Sequence, residues 1–250
     1  MKIGINLLYI RPGKMGGAES FIRNLLEGFL KINNSQFEFF LIVPKNYIKS
    51  WITYKKSLKF HIIGCSLNNN NAINRIFYET FFFNKIIKLN KIDLIFNPVY
   101  PKSLFFKSLV SIITVIHDLQ ALHYPEYWSK IQLIWLKYIW KRSFKISSKI
   151  VTISNYVKKD IINNFDIDKS KIKVIYNPII IKENYCNFDK IRKKYNINIK
   201  EYYYTVSSMA PHKNLITLLK AIKKLKEKKM PFPQKLVISG VGSDSKYHKE

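Results

Sequence analysis

Acidic residues are scarce in this chain. There are 16 Asp and Glu against 43 Lys and Arg, a formal net charge of +27 over 250 residues. That surplus disfavours basic partners and favours anionic ones: phosphates, acidic lipid surfaces or nucleic acid. From charge alone, a solvated lysine coat reads equally well. Cysteine is scarcer still. Cys65 and Cys186 stand far apart at no metal or redox spacing, which argues against a disulfide-stapled fold and suits a reducing cytoplasm. Long apolar runs are missing: SLVSIITVIH is about half the length that spans a bilayer. The N-terminal run MKIGINLLYI leads to RPGK rather than to a small-residue cleavage site, so no signal peptide is expected. Glycine is rare too. Of eight glycines, Gly13, Gly16 and Gly17 fall in one stretch, YIRPGKMGGAESF (9–21).

Apolar residues make up 47% of the chain, enough for a sizeable core rather than disorder. Short runs rich in Ile, Val, Phe and Tyr read as strands: 2–10, 37–43, 60–64, 93–97, 111–117, 149–154, 171–176, 202–208 and 235–240. Several are continuously apolar, as parallel strands buried on both faces are. Helical patterns alternate with them. Residues 18–33 place Phe21, Ile22, Leu25, Leu26 and Phe29 on one face, and 213–226 do the same with Leu215, Leu218, Leu219, Ile222 and Leu225. The alternation predicts a doubly wound α/β architecture. The stretch 176–201 holds Pro178, many Asn and Lys and little periodicity, and reads as a connector. The expected division is a first Rossmann-like domain over 1–178 and the start of a second over 179–250, which has fewer layers than a doubly wound domain needs.

Three strand ends carry candidate chemistry. The glycine turn lies between strand one and helix one, where α/β folds cradle anions against helix N–H groups. It matches neither named nucleotide pattern: the glycines are spaced Gly13-x-x-Gly16-Gly17, strand two lacks a terminal acid, and Ala18-Glu19 follow Gly17. A tight turn that packs the helix on the sheet remains the other reading. Next, the run SIITVIH ends in His117-Asp118, at a strand's carboxyl end, where ligands bind in open sheets. His117 there reads as a reactive group or as a strand-end residue tied to a backbone carbonyl. His123 follows in a loop with Tyr124, Glu126, Tyr127 and Trp128. Third, TVSSMAPHKNL (205–215) places Lys213 at the first residues of a helix. At an effective dielectric near 20, a lysine ~4 Å from a phosphate charge contributes ~4 kcal/mol before desolvation; a solvated first-turn lysine is the equal alternative.

Taken in order, GGAESFIRNLL, VIHDL, KIVTISNYVKKDI, KVIYNPI, SMAPHKNLITLLKAI and KLVISGVGS resemble the retaining glycosyltransferases of family 4, which have the two-domain GT-B fold. The set covers most of the chain. The resemblance implies two Rossmann-like domains of GT-B type, the second one truncated. It implies a nucleotide-diphosphate sugar as substrate, bound between them, and a glycan or lipid-linked acceptor in cell-surface polysaccharide or lipopolysaccharide synthesis. By that match Gly16 and Gly17, with Ser208 and Lys213, would contact the donor diphosphate. His117 would be catalytic, at the sugar end of the donor, and Glu19 and Asp118 would lie on the acceptor side. No metal and no cofactor are expected, because lysine and helix N-termini stabilise the departing phosphate. The expected location is cytoplasmic, peripheral at the inner face of the plasma membrane.

This chain departs from the family pattern in two places. Ser208 stands where an arginine is common, and His212 at another position often held by arginine. The family's E-x7-E pair falls beyond Glu250, so an inactive, C-terminally incomplete form is the alternative reading. A basic nucleic-acid-binding protein is a further alternative carried by charge alone; no recognition motif is present, so no nucleic acid is expected as partner. Asp166-x-Asp168 sits between a helix and a strand and reads as a surface loop. Two aromatic, basic helices, 75–91 and 129–145, suit either core packing or an acidic membrane surface.

Overall fold

The computed structural model describes residues 1–32, 36–67, 71–100, 109–181, 187–198, 202–207, 211–230 and 235–240. The chain divides into two compact units, Met1–Ile180 and Ile181–Glu250.

Among the described residues the first unit holds seven strands: β1 (Lys2–Asn6), β2 (Glu38–Pro44), β3 (Phe60–Cys65), β4 (Leu94–Asn97), β5 (Ser111–Ile116), β6 (Lys149–Thr152) and β7 (Ile172–Val174). They form one sheet in the order β3-β2-β1-β4-β5-β6-β7, and every pairing is parallel. The order reverses between β1 and β4, the switch point of a doubly wound sheet. Its helices are α1 (Gly17–Lys31), α2 (Ala72–Phe81), α3 (Phe83–Asn90), α4 (Gln120–His123), α5 (Lys130–Ile146) and α6 (Asn155–Asn164).

Alternation within β2 shows why the sheet needs cover on both sides. Phe39, Leu41 and Val43 join a core with Phe21, Ile22 and Leu26 of α1. Phe40 and Ile42 point the other way, to Phe83, Ile86 and Ile87 of α3. Each such side chain contributes ~1.5–3 kcal/mol when fully buried, so neither face can be left wet. A third cluster joins Ile116 and Ile150 to Trp140 and Phe144 of α5 and Val157 and Ile161 of α6. Helix α5 is started by a capping box, in which Ser129 accepts from Gln132 N–H and Gln132 reaches back to Ser129 N–H.

The α/β expectation holds, and each expected strand is present. Boundaries differ for local reasons. The first apolar run extends to residue 10, but β1 stops at Asn6. There the Asn6 Oδ1 accepts the Leu8 N–H at 3.2 Å and turns the chain. Leu7, Leu8 and Ile10 are buried in that turn rather than in a strand. The helical stretch 75–91 divides at Phe82 into α2 and α3. The supposed connector holds α7 (Phe188–Tyr195), capped by Asn187 and ended by a left-handed Asn196; sparse apolar positions hid it.

In the second unit, β8 (Tyr202–Val206) and β9 (Lys235–Ser239) form a two-stranded parallel sheet. Tyr203, Tyr204 and Val206 on it are exposed. Helix α8 spans Leu215–Glu227. Among the described residues no helix is long and apolar enough to cross a membrane.

Cys65, at the end of β3, is buried and hydrogen-bonded to Tyr78, and burial pushes its thiol above the usual range. A raised thiol pKa leaves less thiolate at pH 8. Mass spectrometry of the Cys65 peptide should show iodoacetamide labelling only after denaturation; rapid labelling of the folded chain would contradict this burial.

Candidate functional site

Everything at the ligand end of the first unit depends on how β1 runs into α1. Gly13 and Gly16 adopt left-handed backbone, φ +78° and +48°, which other residues rarely adopt. A Cβ built on Gly16 or Gly17 would meet nothing within 4 Å, so this side of the turn is open. Gly16 is the N-cap of α1 and supplies no side-chain cap. A 15-residue helix thus presents its N-terminus and partial positive charge to that open side.

The turn is held from beneath by Glu19. Its Oε2 accepts the Gly13 N–H at 2.6 Å, and its Oε1 pairs with Arg23 at 2.8 Å. Arg23 in turn lies over the fully buried ring of Trp51, 4.7 Å from its centroid. The Glu19 carboxylate is therefore engaged in closing the loop, a role its sequence context did not reveal.

His117 follows β5 and is half-buried. Its Nε2–H donates to the Pro98 carbonyl at 2.8 Å, and its ring meets Phe21 of α1 edge-on at 4.9 Å. With Nε2 tied to a carbonyl, the neutral ring keeps Nδ1 as its acceptor. The backbone-tied reading of His117 is thus present, and it orients the ring as well. Asp118 is exposed, and its Oδ1 accepts the Gln120 N–H at 3.2 Å. His123 donates to Asp160 at 2.8 Å, a mostly buried carboxylate that also accepts from Asn164. That pair joins α4 to α6.

Between these loops lies a buried polar cluster that pattern reading missed. Asn6 ends β1 and Asn97 ends β4, the strands flanking the switch point. Asn6 Nδ2 donates to Asn97 Oδ1 at 3.0 Å and to Glu79 Oε1 of α2 at 3.3 Å. Arg75, also on α2, lies 4.7 Å from the centroid of the Tyr9 ring in the glycine turn. Asn97 adjoins Pro98, the carbonyl partner of His117, so cluster and histidine share one strand end. Tyr100, close by in sequence, packs edge-on to Trp140, and burial first, then Tyr9 and Asp118, push its phenol well above the ordinary range. The available signal was the ending of two inner strands, GIN and IFN, in asparagine.

In the second unit Lys213 lies in a one-turn 3-10 segment, Pro211–Lys213, before α8 and not within it. Asn214 is left-handed, φ +53°, which separates the turn from the helix. Lys213 is exposed. Ser208 lies outside the described residues. Asp166 and Asp168 are exposed, and Asp168 caps the short turn that follows, accepting from Ser170 N–H and Oγ–H. These hydrogen bonds hold its carboxyl below the usual range. Among the described residues no cluster of His, Cys, Asp and Glu could hold a metal.

The family model described as Glycosyltransferase Family 4 matches residues 15–183, more than half of the chain. The chain belongs to Glycosyltransferase Family 4. Over 105 residues it is 31% identical to the O-antigen chain mannosyltransferase RfbU of Salmonella typhimurium, covering 42% of this chain and 27% of that protein. Its fold is similar to that of Anabaena Alr3699/HepE, solved in complex with UDP and glucose. There the TM-score is 0.62 at 14% identity, covering 99% of this chain and 63% of that one. Staphylococcus aureus MnaA, solved with UDP, gives a TM-score of 0.55 at 12% identity, covering 100% and 64%. The expectation of a GT-B-type α/β fold is met by these likenesses. This chain spans about a quarter of the curated relative and under two thirds of the solved structures.

The Glu19–Arg23 link makes a direct test of the turn. Glu19→Ala and Arg23→Ala should be non-additive in chemical denaturation, with a coupling of about 1 kcal/mol. Strict additivity would mean the link does not hold the loop.

Proposed function

We propose that this protein is a glycosyltransferase that moves a sugar from a nucleotide-diphosphate sugar to a glycan or lipid-linked acceptor in surface-polysaccharide synthesis. The observation that carries the reading is the family match over 15–183, which includes Gly16, Gly17 and His117. In this reading the first unit is the acceptor-side domain and the second the start of the donor-binding domain. Sugar transfer leaves negative charge on the departing diphosphate. Gly16 and Gly17 bring the α1 N-terminus to it, and Lys213 and Ser208 supply further contacts. His117 is the catalytic group at the sugar, with its ring oriented by the Pro98 carbonyl and Phe21. Asp118 and Glu19 act on the acceptor side, Glu19 by shaping the turn. Retention of configuration and independence from metal belong to the proposal. The O-antigen assignment of RfbU supports the substrate class.

With nucleotide sugars and a polyprenyl-linked acceptor, His117→Ala and Lys213→Ala should each lower transfer or donor hydrolysis by about 10²-fold or more. Unchanged rates in both would overturn the reading. A second reading draws on the two-stranded β8–β9 sheet, since sheets of that size rarely stand alone. In it the 250-residue chain folds and binds nucleotide without turnover.

The acceptor class motivates peripheral membrane contact. On α5, Ile131, Ile134 and Tyr138 are exposed beside Lys130, Lys137 and Lys141. Trp140 and Phe144 of the same helix are in the core, so one face of α5 packs and the other is exposed. The chain should cosediment with vesicles containing acidic lipid at low salt and release at high salt. Equal binding to neutral vesicles, or none, would exclude this contact.

A further inference from the structure

Helix α2 is turned inside out. It exposes Ile73, Phe77 and Phe81 and buries Arg75 and Glu79, one turn apart. An amphipathic helix normally does the reverse. Charged side chains are rarely buried unless paired. Such a conflict between local pattern and burial is expected where a fold gives up stability for function.

Glu79 is accounted for: it accepts from Asn6 Nδ2 in the switch-point cluster. Arg75 is not. It is 5% exposed, yet no described residue accepts a hydrogen bond from its guanidinium or forms an ion pair with it. Its one described contact is the Tyr9 ring at 4.7 Å. A ring face attracts the cation but leaves the five N–H donors without acceptors in fixed fork geometry. Arg75 is also well placed. It stands beside the glycine turn through Tyr9, at the carboxyl ends of the two strands where the sheet order reverses, where ligands of open α/β sheets bind.

We propose that Arg75 is a substrate-binding residue whose guanidinium fork takes a phosphoryl group at the β1–β4 switch point. Two tetrahedral oxygens of a phosphate match the fork, and a partly desolvated site strengthens the pair. The phosphoryl group comes either from a phosphate-linked acceptor or from the donor diphosphate. Its assignment to a sugar-transfer substrate rests on the glycosyltransferase reading; the anion site itself does not.

The test uses the full chain, Arg75→Met and Arg75→Lys, with calorimetric titration of inorganic pyrophosphate, UDP and a short isoprenyl diphosphate. Arg75→Met should weaken pyrophosphate binding by about tenfold or more and melt no lower than the wild type, because an apolar side chain replaces a buried cation lacking a close partner. Arg75→Lys should keep part of the affinity. Whichever of UDP and isoprenyl diphosphate loses affinity in parallel identifies the source of the phosphoryl group. Pyrophosphate affinity within twofold of the wild type in Arg75→Met would overturn the proposal. So would loss of folding in both variants, which would make Arg75 structural. If wild-type chain turns over no nucleotide sugar and its pyrophosphate binding still depends on Arg75, the anion site stands and the transferase reading falls.

Discussion

The Asn6 side chain makes three hydrogen bonds with one amide. It accepts from Leu8 N–H, donates to Asn97 and donates to Glu79. The first bond stops β1 and turns the chain into the glycine loop. The second ties the ends of β1 and β4 across the switch point, and the third docks α2 against both. An unsatisfied partner in this buried setting costs about 1–3 kcal/mol, so the bonds stand or fall together. The position of the β1–α1 turn, of Pro98 with its histidine, and of Arg75 all follow from that amide.

Around this point the ligand end is built from short links rather than from one continuous pocket wall. Trp51, Arg23, Glu19 and Gly13 form one chain of contacts that holds the turn from below. Pro98, His117 and Phe21 form another, which joins β4, β5 and α1. The Asn24 side chain adds a third by donating to the Pro178 carbonyl at 3.0 Å, so the chain leaving the sheet after β7 returns to α1. Three sides of α1 are therefore fixed, and its N-terminus is the part left open.

The strands were legible because parallel strands buried on two faces must be almost wholly apolar, as FFLIV of β2 is. Their ends were less so. A hydrophobic run continues past Asn6 because Leu7, Leu8 and Ile10 are core residues in a turn, and composition does not distinguish a buried turn from a strand. His117 and the glycine turn were legible because both sit directly after apolar runs. Arg75 and Glu79 were not. Helix periodicity assigns charges to water, and α2 breaks that rule. Lys213 was assigned to the right turn but the wrong element, since a left-handed Asn214 is not apparent from spacing.

The exposed aromatic and aliphatic groups of α2, α5 and β8 also bear on how copies of the chain meet. Phe77, Phe81, Ile131, Ile134 and Tyr204 are sticky surface, yet they are carried by a molecule with a formal charge of +27. Like-charge repulsion keeps such copies apart at low ionic strength. At 1 M salt the screening length shrinks to about 3 Å, and that repulsion fades while apolar attraction persists. The lysine coat is thus a colloidal stabiliser with a salt limit, whatever else it binds.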